Sequence, residues 1–180
     1  MNQKKKSVYC SVCAMCAALF VVCSWVSIPT SPPFTLQSFA VFTVVGIFGT
    51  RISFNAYLLY FFLGLTGLPV FSGFSGGFAV LTGPTGGFLV GFGVSIIIIG
   101  LACRLPLNRR YSLVISFILG TFVIYTTGTL YYALIWLGEL SLDSLISAIS
   151  ICVLPFAISD IVKIVLAVFV TERLEGRIKL

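Results

Sequence analysis

The chain has 180 residues, of which 59% are hydrophobic and only 9% are charged. A soluble domain carries about 25% charged residues, so this composition excludes a soluble protein and indicates one multi-pass domain in a lipid bilayer. The formal charge of +6 is spread between apolar runs rather than gathered in a basic patch with interleaved aromatic residues, which argues against nucleic acid as a partner.

Side chains with reactive chemistry are scarce. The chain contains no histidine, which is the commonest metal ligand and acid–base group. Cys10, Cys13 and Cys16 have part of the spacing of an iron–sulfur ligand run, but no fourth cysteine follows at the required distance. In their apolar stretch we expect them to pack as small hydrophobic side chains. The sequence therefore predicts no catalytic residue, no metal site and no enzymatic activity.

The first apolar run covers about residues 8–28 and follows the basic segment 4–6. Signal peptides begin in a similar way, but this run is long enough to cross a bilayer and no small-x-small cleavage signal ends it. We predict an uncleaved first transmembrane helix. Ala14 and Ala18 form a small-xxx-small pair within it, a pattern that permits close helix packing in lipid, although alanine is also simply common in spanning helices.

Two shorter apolar runs, about 36–50 and 52–66, follow a connector that contains three prolines and is predicted to form turns. Each run has about fifteen residues, below the ~20 that a spanning helix normally needs. Each must borrow flanking residues, tilt little or lie where the bilayer is thinned. We predict the second and third helices here, separated at Arg51.

A glycine-dense stretch from Gly67 to Gly91 holds eight of the seventeen glycines together with Pro69 and Pro84. Neither proline fits the middle of an ordinary spanning helix. Lipid tolerates irregular backbone only where protein buries it or where it lines a cavity. The stretch is therefore either a plain extracellular loop or the wall of a binding pocket, and its composition does not decide between them.

The remaining apolar runs predict a fourth, a fifth and a sixth helix, at about 84–103, 111–137 and 155–174. Pro84 suits the first turn of the fourth helix. Hydropathy would draw one helix over 145–170, but Pro155 interrupts it, and proline favours a helix start. Residues 140–154 then form either a short cap helix at the outer surface or the first part of a proline-kinked sixth helix.

The basic residues fall on one side of these six predicted helices. The first, third and fifth connections contain no Lys or Arg, whereas ten of the eleven lie at the termini or in the second and fourth connections. By the positive-inside rule both termini are cytoplasmic, and the glycine-dense stretch is on the outer side. The ten residues are Lys4, Lys5, Lys6, Arg51, Arg104, Arg109, Arg110, Arg173, Arg177 and Lys179.

Lys163 is the eleventh basic residue and lies inside the predicted sixth helix, three positions after Asp160. At this spacing the two side chains share a helix face and can interact. Ionisable groups at membrane depth are costly and usually face the protein interior, so they indicate a functional site. The alternative is a self-neutralising structural pair. An anionic ligand that entered from outside would find its partner at Lys163.

Several motifs occur together in this chain. In order they are PFTLQ at 33–37, GLPVF at 67–71, the pair Gly76-Gly77, GPTGG at 83–87, and Pro155-Phe156 followed by Asp160 and Lys163. With this order and spacing the chain resembles, over about residues 20–174, the BioY family, the biotin-specific substrate-binding (S) components of energy-coupling-factor (ECF) transporters. Family members often have tyrosine where this chain has Phe88, and Phe74 stands between the loop glycines. These departures concern details of the pocket wall.

The resemblance implies an all-α protein of six transmembrane helices in the cytoplasmic (inner) membrane, with a glycine-rich outer loop between helices three and four. It implies that the protein binds biotin at its outer face and delivers it inward, with biotin as a transported substrate and no cofactor. The implied partners are a transmembrane coupling subunit, packed on the first helix through alanines such as Ala14 and Ala18, and two ATPase subunits. The chain has no G-x4-G-K-[ST] phosphate loop, so it is not its own motor.

With biotin as the ligand, eight residues are predicted to bind it: Phe34, Gln37, Tyr60, Phe71, Gly76, Gly77, Asp160 and Lys163. Lys163 pairs with the carboxylate in this hypothesis, and Asp160 either accepts a ureido N–H or holds Lys163 in place. Gln37 can both donate to and accept from the ureido group. The three aromatic residues are candidates for the ring wall, although aromatic residues here are more often packing. The two glycines either let the loop approach the ligand or serve only turn geometry.

Other functions stay open at this point. The same fold could bind another vitamin, or the chain could be a membrane-embedded enzyme or a structural membrane subunit. An enzyme is disfavoured because there is no histidine and no pair of carboxylates in the predicted spans. A structural subunit would leave Lys163 and the outer glycines without a purpose. The alanine pair does not decide whether the protein requires the ECF subunits or is a solitary biotin transporter.

Overall fold

The computed structural model describes residues 3–138, 141–175 and 177, most of which are helical. Its elements in chain order are α1 (Gln3–Trp25), β1 (Ser27–Ile28), β2 (Phe34–Thr35), α2 (Gln37–Leu65), a 3₁₀ turn (Ser72–Phe74), α3 (Ala79–Thr82), α4 (Gly86–Ala102), α5 (Arg109–Tyr131), a π-helical segment (Tyr132–Trp136), α6 (Leu142–Cys152) and α7 (Leu154–Glu175). Lys179, which entered the predicted topology, and residue 140, the first residue of the predicted cap, lie outside the described residues.

Among the described residues, four helical segments are long and apolar enough to cross a membrane. They are Lys5–Trp25, Gln37–Leu65, Arg109–Trp136 and Leu154–Glu175. The apolar helices α4 and α6 are shorter, with 17 and 11 residues. The multi-pass membrane class expected from composition therefore agrees with the fold.

The helix α2 folds back on itself at Gly49. A straight helix of its 29 residues would be about 44 Å long, too long for both ends to reach one pocket. Yet Gln37 at its start and Phe71, six residues beyond its end, line the same cavity. Gly49 has φ 74° and ψ 175°, a conformation that glycine adopts at little cost. The two predicted runs, 36–50 and 52–66, are thus the two arms of α2, and no separate loop joins them.

The proline-rich connector after α1 forms a β-hairpin, where only turns were expected. Strands β1 and β2 pair antiparallel, with Ser27 opposite Thr35. The backbone N–H of Leu36 donates to the Cys23 carbonyl oxygen of α1 at 3.2 Å. The hairpin therefore brings Phe34 and the start of α2 to the end of α1.

The helix α1 has two different faces. Cys13, Cys16 and Phe20 are buried in the core that α1 shares with α2. These cysteines pack as small apolar side chains, as expected. Ala14 and Ala18, in contrast, are exposed on α1.

Two features of the later helices differ from the sequence-based prediction. The helix α4 begins at Gly86, so Pro84 lies in the turn before it rather than in its first turn. The N–H of Gly86 donates to the Gly83 carbonyl oxygen, which closes that turn. The helix α5 changes to π-helical geometry at Tyr132 before it ends. The helical run is interrupted at Val153, where φ is −120°, so α6 and α7 are separate helices, in agreement with the predicted alternative of a short helix before the sixth span.

Candidate functional site

A pocket of about 160 Å³ lies where the β-hairpin, the start of α2, the glycine-dense stretch, α4, α5 and α7 meet. This volume is far larger than the space that one water molecule requires. Five of the predicted binding residues line the pocket: Phe34, Gln37, Phe71, Asp160 and Lys163. The glycine-dense stretch also contributes Ser72, Ser75, Val80, Thr85, Phe88 and Leu89 to the lining. It is therefore the wall of a cavity rather than a plain loop.

Lys163 and Asp160 form an ion pair at the pocket. The Lys163 Nζ atom lies 2.7 Å from Asp160 Oδ1, and their side chains are 7% and 10% exposed. The three-residue spacing on α7 produces this contact, as expected. A buried ion pair costs desolvation energy unless further hydrogen bonds satisfy its charges. The partners of Asp160 therefore decide whether this site is stable.

Two other helices supply hydrogen bonds to the Asp160 carboxylate. The Tyr125 hydroxyl of α5 donates to Asp160 Oδ2 at 2.6 Å. The Ser38 hydroxyl of α2 donates to Asp160 Oδ1 at 3.4 Å. Both carboxylate oxygens thus accept hydrogen bonds from the protein, and three helices meet at one charged group.

Phe34 and Phe156 form an aromatic platform beside the lysine. Their rings are stacked, with centroids 5.8 Å apart and an angle of 7° between the planes. The Lys163 Nζ atom lies 4.1 Å from the centroid of the Phe34 ring. A cation over an aromatic face gains electrostatic attraction, and the gain is larger where water is excluded. The ammonium group is thus held between a carboxylate and a π-face.

Gln37 is the first residue of α2 and lines the pocket with 4% of its surface exposed. Its Nε2 atom is buried without a hydrogen-bond partner among the described residues. An unsatisfied buried polar group costs about 1–3 kcal/mol. A ligand that offered an acceptor to this amide would remove that cost, so Gln37 is a strong candidate for ligand contact.

Tyr60 is fully buried and does not belong to the pocket lining. Its ring meets the edge of Phe71 with centroids 5.4 Å apart and planes at 80°. Tyr60 therefore lies behind Phe71 and supports it, whereas Phe71 itself faces the cavity. The structure separates these two residues, which the sequence had placed together in the wall.

Gly76 and Gly77 do not line the pocket either. The surrounding backbone explains why glycine is required at these two positions. A Cβ added at Gly76 would lie 2.8 Å from the carbonyl carbon of Leu68, so the chain needs glycine for this close approach. Gly77 has φ 90°, and its N–H donates to the Gly64 carbonyl oxygen at 2.7 Å. Turn geometry is thus the alternative that their placement favours.

The last turn of α1 anchors the glycine-dense stretch. The Ser24 hydroxyl donates to the Val70 carbonyl oxygen at 2.7 Å, and Trp25 Nε1 donates to the Pro69 carbonyl oxygen at 2.8 Å. The Trp25 ring also packs on Phe74, with centroids 5.1 Å apart. These contacts fix the segment that carries Phe71 into the pocket.

Sequence reasoning missed Tyr125 and Ser38. Each lies within a predicted spanning helix and carries no charge, and uncharged hydroxyl groups are common in such helices. One signal was available, because a carboxylate at membrane depth requires hydrogen-bond donors from neighbouring helices. Only the packing of α2 and α5 on α7 shows which donors these are.

Comparisons with known proteins agree with the motifs. The BioY family model matches residues 1–179 of this chain. The biotin transporter BioY of Thermotoga maritima is 38% identical over 159 residues, which cover 88% of this chain and 90% of that protein. The probable biotin transporter BioY of Pyrococcus horikoshii is 36% identical over 167 residues, covering 92% and 95%. Biotin transporter BioY2 of Lactococcus lactis subsp. cremoris is 34% identical over 169 residues, covering 91% and 88%.

A solved structure shares the fold. It is a crystal structure of the S-component for biotin from an ECF-type ABC transporter, with a TM-score of 0.85 and 24% sequence identity. The match covers 98% of this chain and 95% of that one. The family resemblance read from the motifs is confirmed, and the relatives named above are transporters rather than enzymes. This chain belongs to the BioY family.

Proposed function

We propose that this protein binds biotin in the pocket described above and takes it up across the cytoplasmic membrane as the S component of an ECF-type transporter. The observation that carries the proposal is the Asp160–Lys163 pair, buried at a pocket that also presents the unsatisfied Gln37 amide. The relatives named as biotin transporters, of which this chain covers about nine tenths, support the choice of ligand.

The chemistry of biotin fits these groups. Biotin has a carboxylate, a ureido group with two N–H donors and a carbonyl, and an apolar sulfur-containing ring. In our proposal Lys163 pairs with the carboxylate, a charge-assisted contact strengthened by the exclusion of water. The Gln37 amide meets the ureido carbonyl. Phe34 and Phe71 pack on the apolar ring.

Asp160 then holds Lys163 in place. Its Oδ1 accepts from Lys163 and Ser38, and its Oδ2 accepts from Tyr125. A carboxylate has about four acceptor positions, so three are in use and one stays open for a ureido N–H. The structure supports the anchoring role with three hydrogen bonds. Contact between Asp160 and the ureido group is a second role for its remaining position.

The carboxylate of the ligand provides the test of Lys163. We expect Lys163→Ala to weaken binding of biotin by about tenfold or more, because a hydrogen bond to a charged group is worth about 1.5–3 kcal/mol. Biotin methyl ester has no charge to lose and should be affected much less. Lys5→Ala, which removes an exposed lysine from the other end of the protein, is the matched control. Equal losses for the acid and the ester would reject the carboxylate role.

Ligand identity is tested by equilibrium binding to the purified protein. Labelled biotin should bind and should be displaced by unlabelled biotin, but not by riboflavin or thiamine. Binding of labelled riboflavin or labelled thiamine, with no binding of biotin, would favour the alternative of an S component for another ligand. The Asp160–Lys163 pair alone does not identify the vitamin, so this measurement decides the substrate.

The proposed topology has six spans with both termini in the cytoplasm. The spans are α1, the two arms of α2, α4, α5 and α7, and α6 is a cap at the outer surface. The charge distribution supports this orientation, since ten basic residues fall on one predicted side and none on the other. The pocket and the glycine-dense stretch are then extracellular.

The proposed partners are a transmembrane coupling subunit and two ATPase subunits. Ala14 and Ala18 are exposed on α1, and small side chains at these positions permit close approach of a partner helix. Uptake of labelled biotin should be measured in cells that lack other biotin transport, with and without a coupling module. Uptake that requires the module would support the proposal, whereas equal uptake in both cases would favour a solitary transporter.

A further inference from the structure

Tyr125 is the strongest donor to Asp160 apart from Lys163. Its hydroxyl lies 2.6 Å from Asp160 Oδ2, within the 2.5–2.7 Å range of a charge-assisted O–H···O⁻ bond. The Ser38 contact is long by comparison, at 3.4 Å, and contributes less. Tyr125 also lines the pocket, so it lies at the point where ligand and ion pair meet.

The helix that carries Tyr125 is held firmly against α4. A Cβ added at Gly91 of α4 would lie 3.3 Å from the Ile124 Cα atom, so the two backbones are in close approach beside Tyr125. The Tyr131 hydroxyl, further along α5, donates to the Leu81 carbonyl oxygen of α3. Tyr125 therefore projects from a helix whose position is set by packing, which is what a positioning group requires.

The side-chain geometry of Asp160 gives Tyr125 its role. The terminal torsion of aspartate is broad, so a carboxylate held through one oxygen can turn. Lys163 holds Oδ1 from the same helix, and Tyr125 holds Oδ2 from a different one. Together they fix the carboxylate plane. Since Lys163 Nζ is bonded to that carboxylate, its place above the Phe34 ring is fixed as well.

We propose that Tyr125 is a positioning residue for ligand binding, which acts through Asp160 to hold the Lys163 ammonium group in its binding orientation. This inference rests on the proposed function, because it assigns a further residue to the same biotin site. It differs from a structural role in one respect. The effect of the Tyr125 hydroxyl on affinity depends on the Asp160 carboxylate.

A double-mutant cycle tests this dependence. Biotin dissociation constants are measured for the wild type, Tyr125→Phe, Asp160→Asn and the double variant, all purified as full chains. We expect Tyr125→Phe to weaken binding about tenfold in the wild-type background and to have almost no effect when Asp160 is already asparagine. Tyr111→Phe removes an exposed hydroxyl at the other end of α5 and should leave affinity unchanged.

Several outcomes would overturn the inference. Wild-type affinity in Tyr125→Phe would do so, as would equal losses from Tyr125→Phe in both backgrounds. If Asp160→Asn has no measurable affinity, the same cycle is read from thermal unfolding without ligand, and additive effects there would overturn it too. Failure of the wild type to bind biotin would instead reject the proposed function, so the two failures are distinguishable.

Discussion

Gly64 offers a way to change the pocket from behind its wall. It is buried in the second arm of α2, next to the Phe71 ring that lines the pocket. In Gly64→Ala the added Cβ would lie 2.5 Å from Cε1 and Cε2 of Phe71, and closer still to Cζ. Ordinary contact begins at 3.4 Å, so the ring must move by about 1 Å or more.

The direction of that movement follows from the neighbours of Phe71. The ring is 2% exposed, abuts Tyr60 edge to face and also lines the pocket. The open space of the pocket resists less than packed side chains do, so the ring should enter the cavity. Overpacking typically costs about 1–3 kcal/mol. If the free energy of ligand binding becomes less favourable by this amount, the affinity falls by about 5- to 150-fold.

Equilibrium binding of labelled biotin measures this effect, with thermal unfolding as a check on the fold. Gly83→Ala is the matched control, because a Cβ there has its nearest neighbours at 3.5 Å and the backbone is extended. In a Gly64→Ala/Phe71→Leu variant the smaller side chain should relieve the overlap and recover part of the lost stability. Wild-type affinity in Gly64→Ala, or an equal loss in Gly83→Ala, would refute the reasoning.

Two further predictions concern the glycine-dense stretch and the proposed topology. Trp25→Phe removes the indole N–H that donates to the Pro69 carbonyl oxygen but keeps a ring near Phe74. Amide hydrogen exchange over 67–77 should therefore become faster. Unchanged exchange would contradict the anchoring role. In a variant without the six native cysteines, Phe74→Cys should react with a membrane-impermeant maleimide in intact cells, whereas Leu107→Cys should react only after permeabilisation. The reverse pattern would contradict the proposed orientation.

The fold was predictable where composition and charge carry the information. The arms of α2 were expected from two short apolar runs separated at Arg51, and the structure places the break at Gly49, two residues earlier. The β-hairpin was not expected, because two residues per strand leave no periodic signal and proline indicates only a turn. The start of α4 depends on a turn at Gly83, which local preferences for Pro84 do not specify.

The candidate site was predictable where a residue is costly in lipid. Lys163 and Asp160 were identified because a charged side chain in a predicted spanning helix is energetically costly and therefore indicates a functional site. The motifs pointed to Phe34 and Gln37. Tyr60 was placed in the wall because sequence does not distinguish an aromatic that faces a cavity from one that lies behind it. That distinction depends on tertiary packing.

The contacts of α1 have a consequence for how a bound partner protein and a bound ligand would influence each other. One side of this helix presents Ala14 and Ala18 to the surroundings, and its last turn holds the loop that carries Phe71. From Ala18 to Ser24 the helix rises only about 9 Å. A protein bound to α1 and a ligand bound in the pocket would thus both act on the same helix. Thermodynamic linkage makes such coupling reciprocal. If the bound ligand changed the affinity of α1 for the partner protein by some factor, the bound partner would change the affinity for the ligand by the same factor.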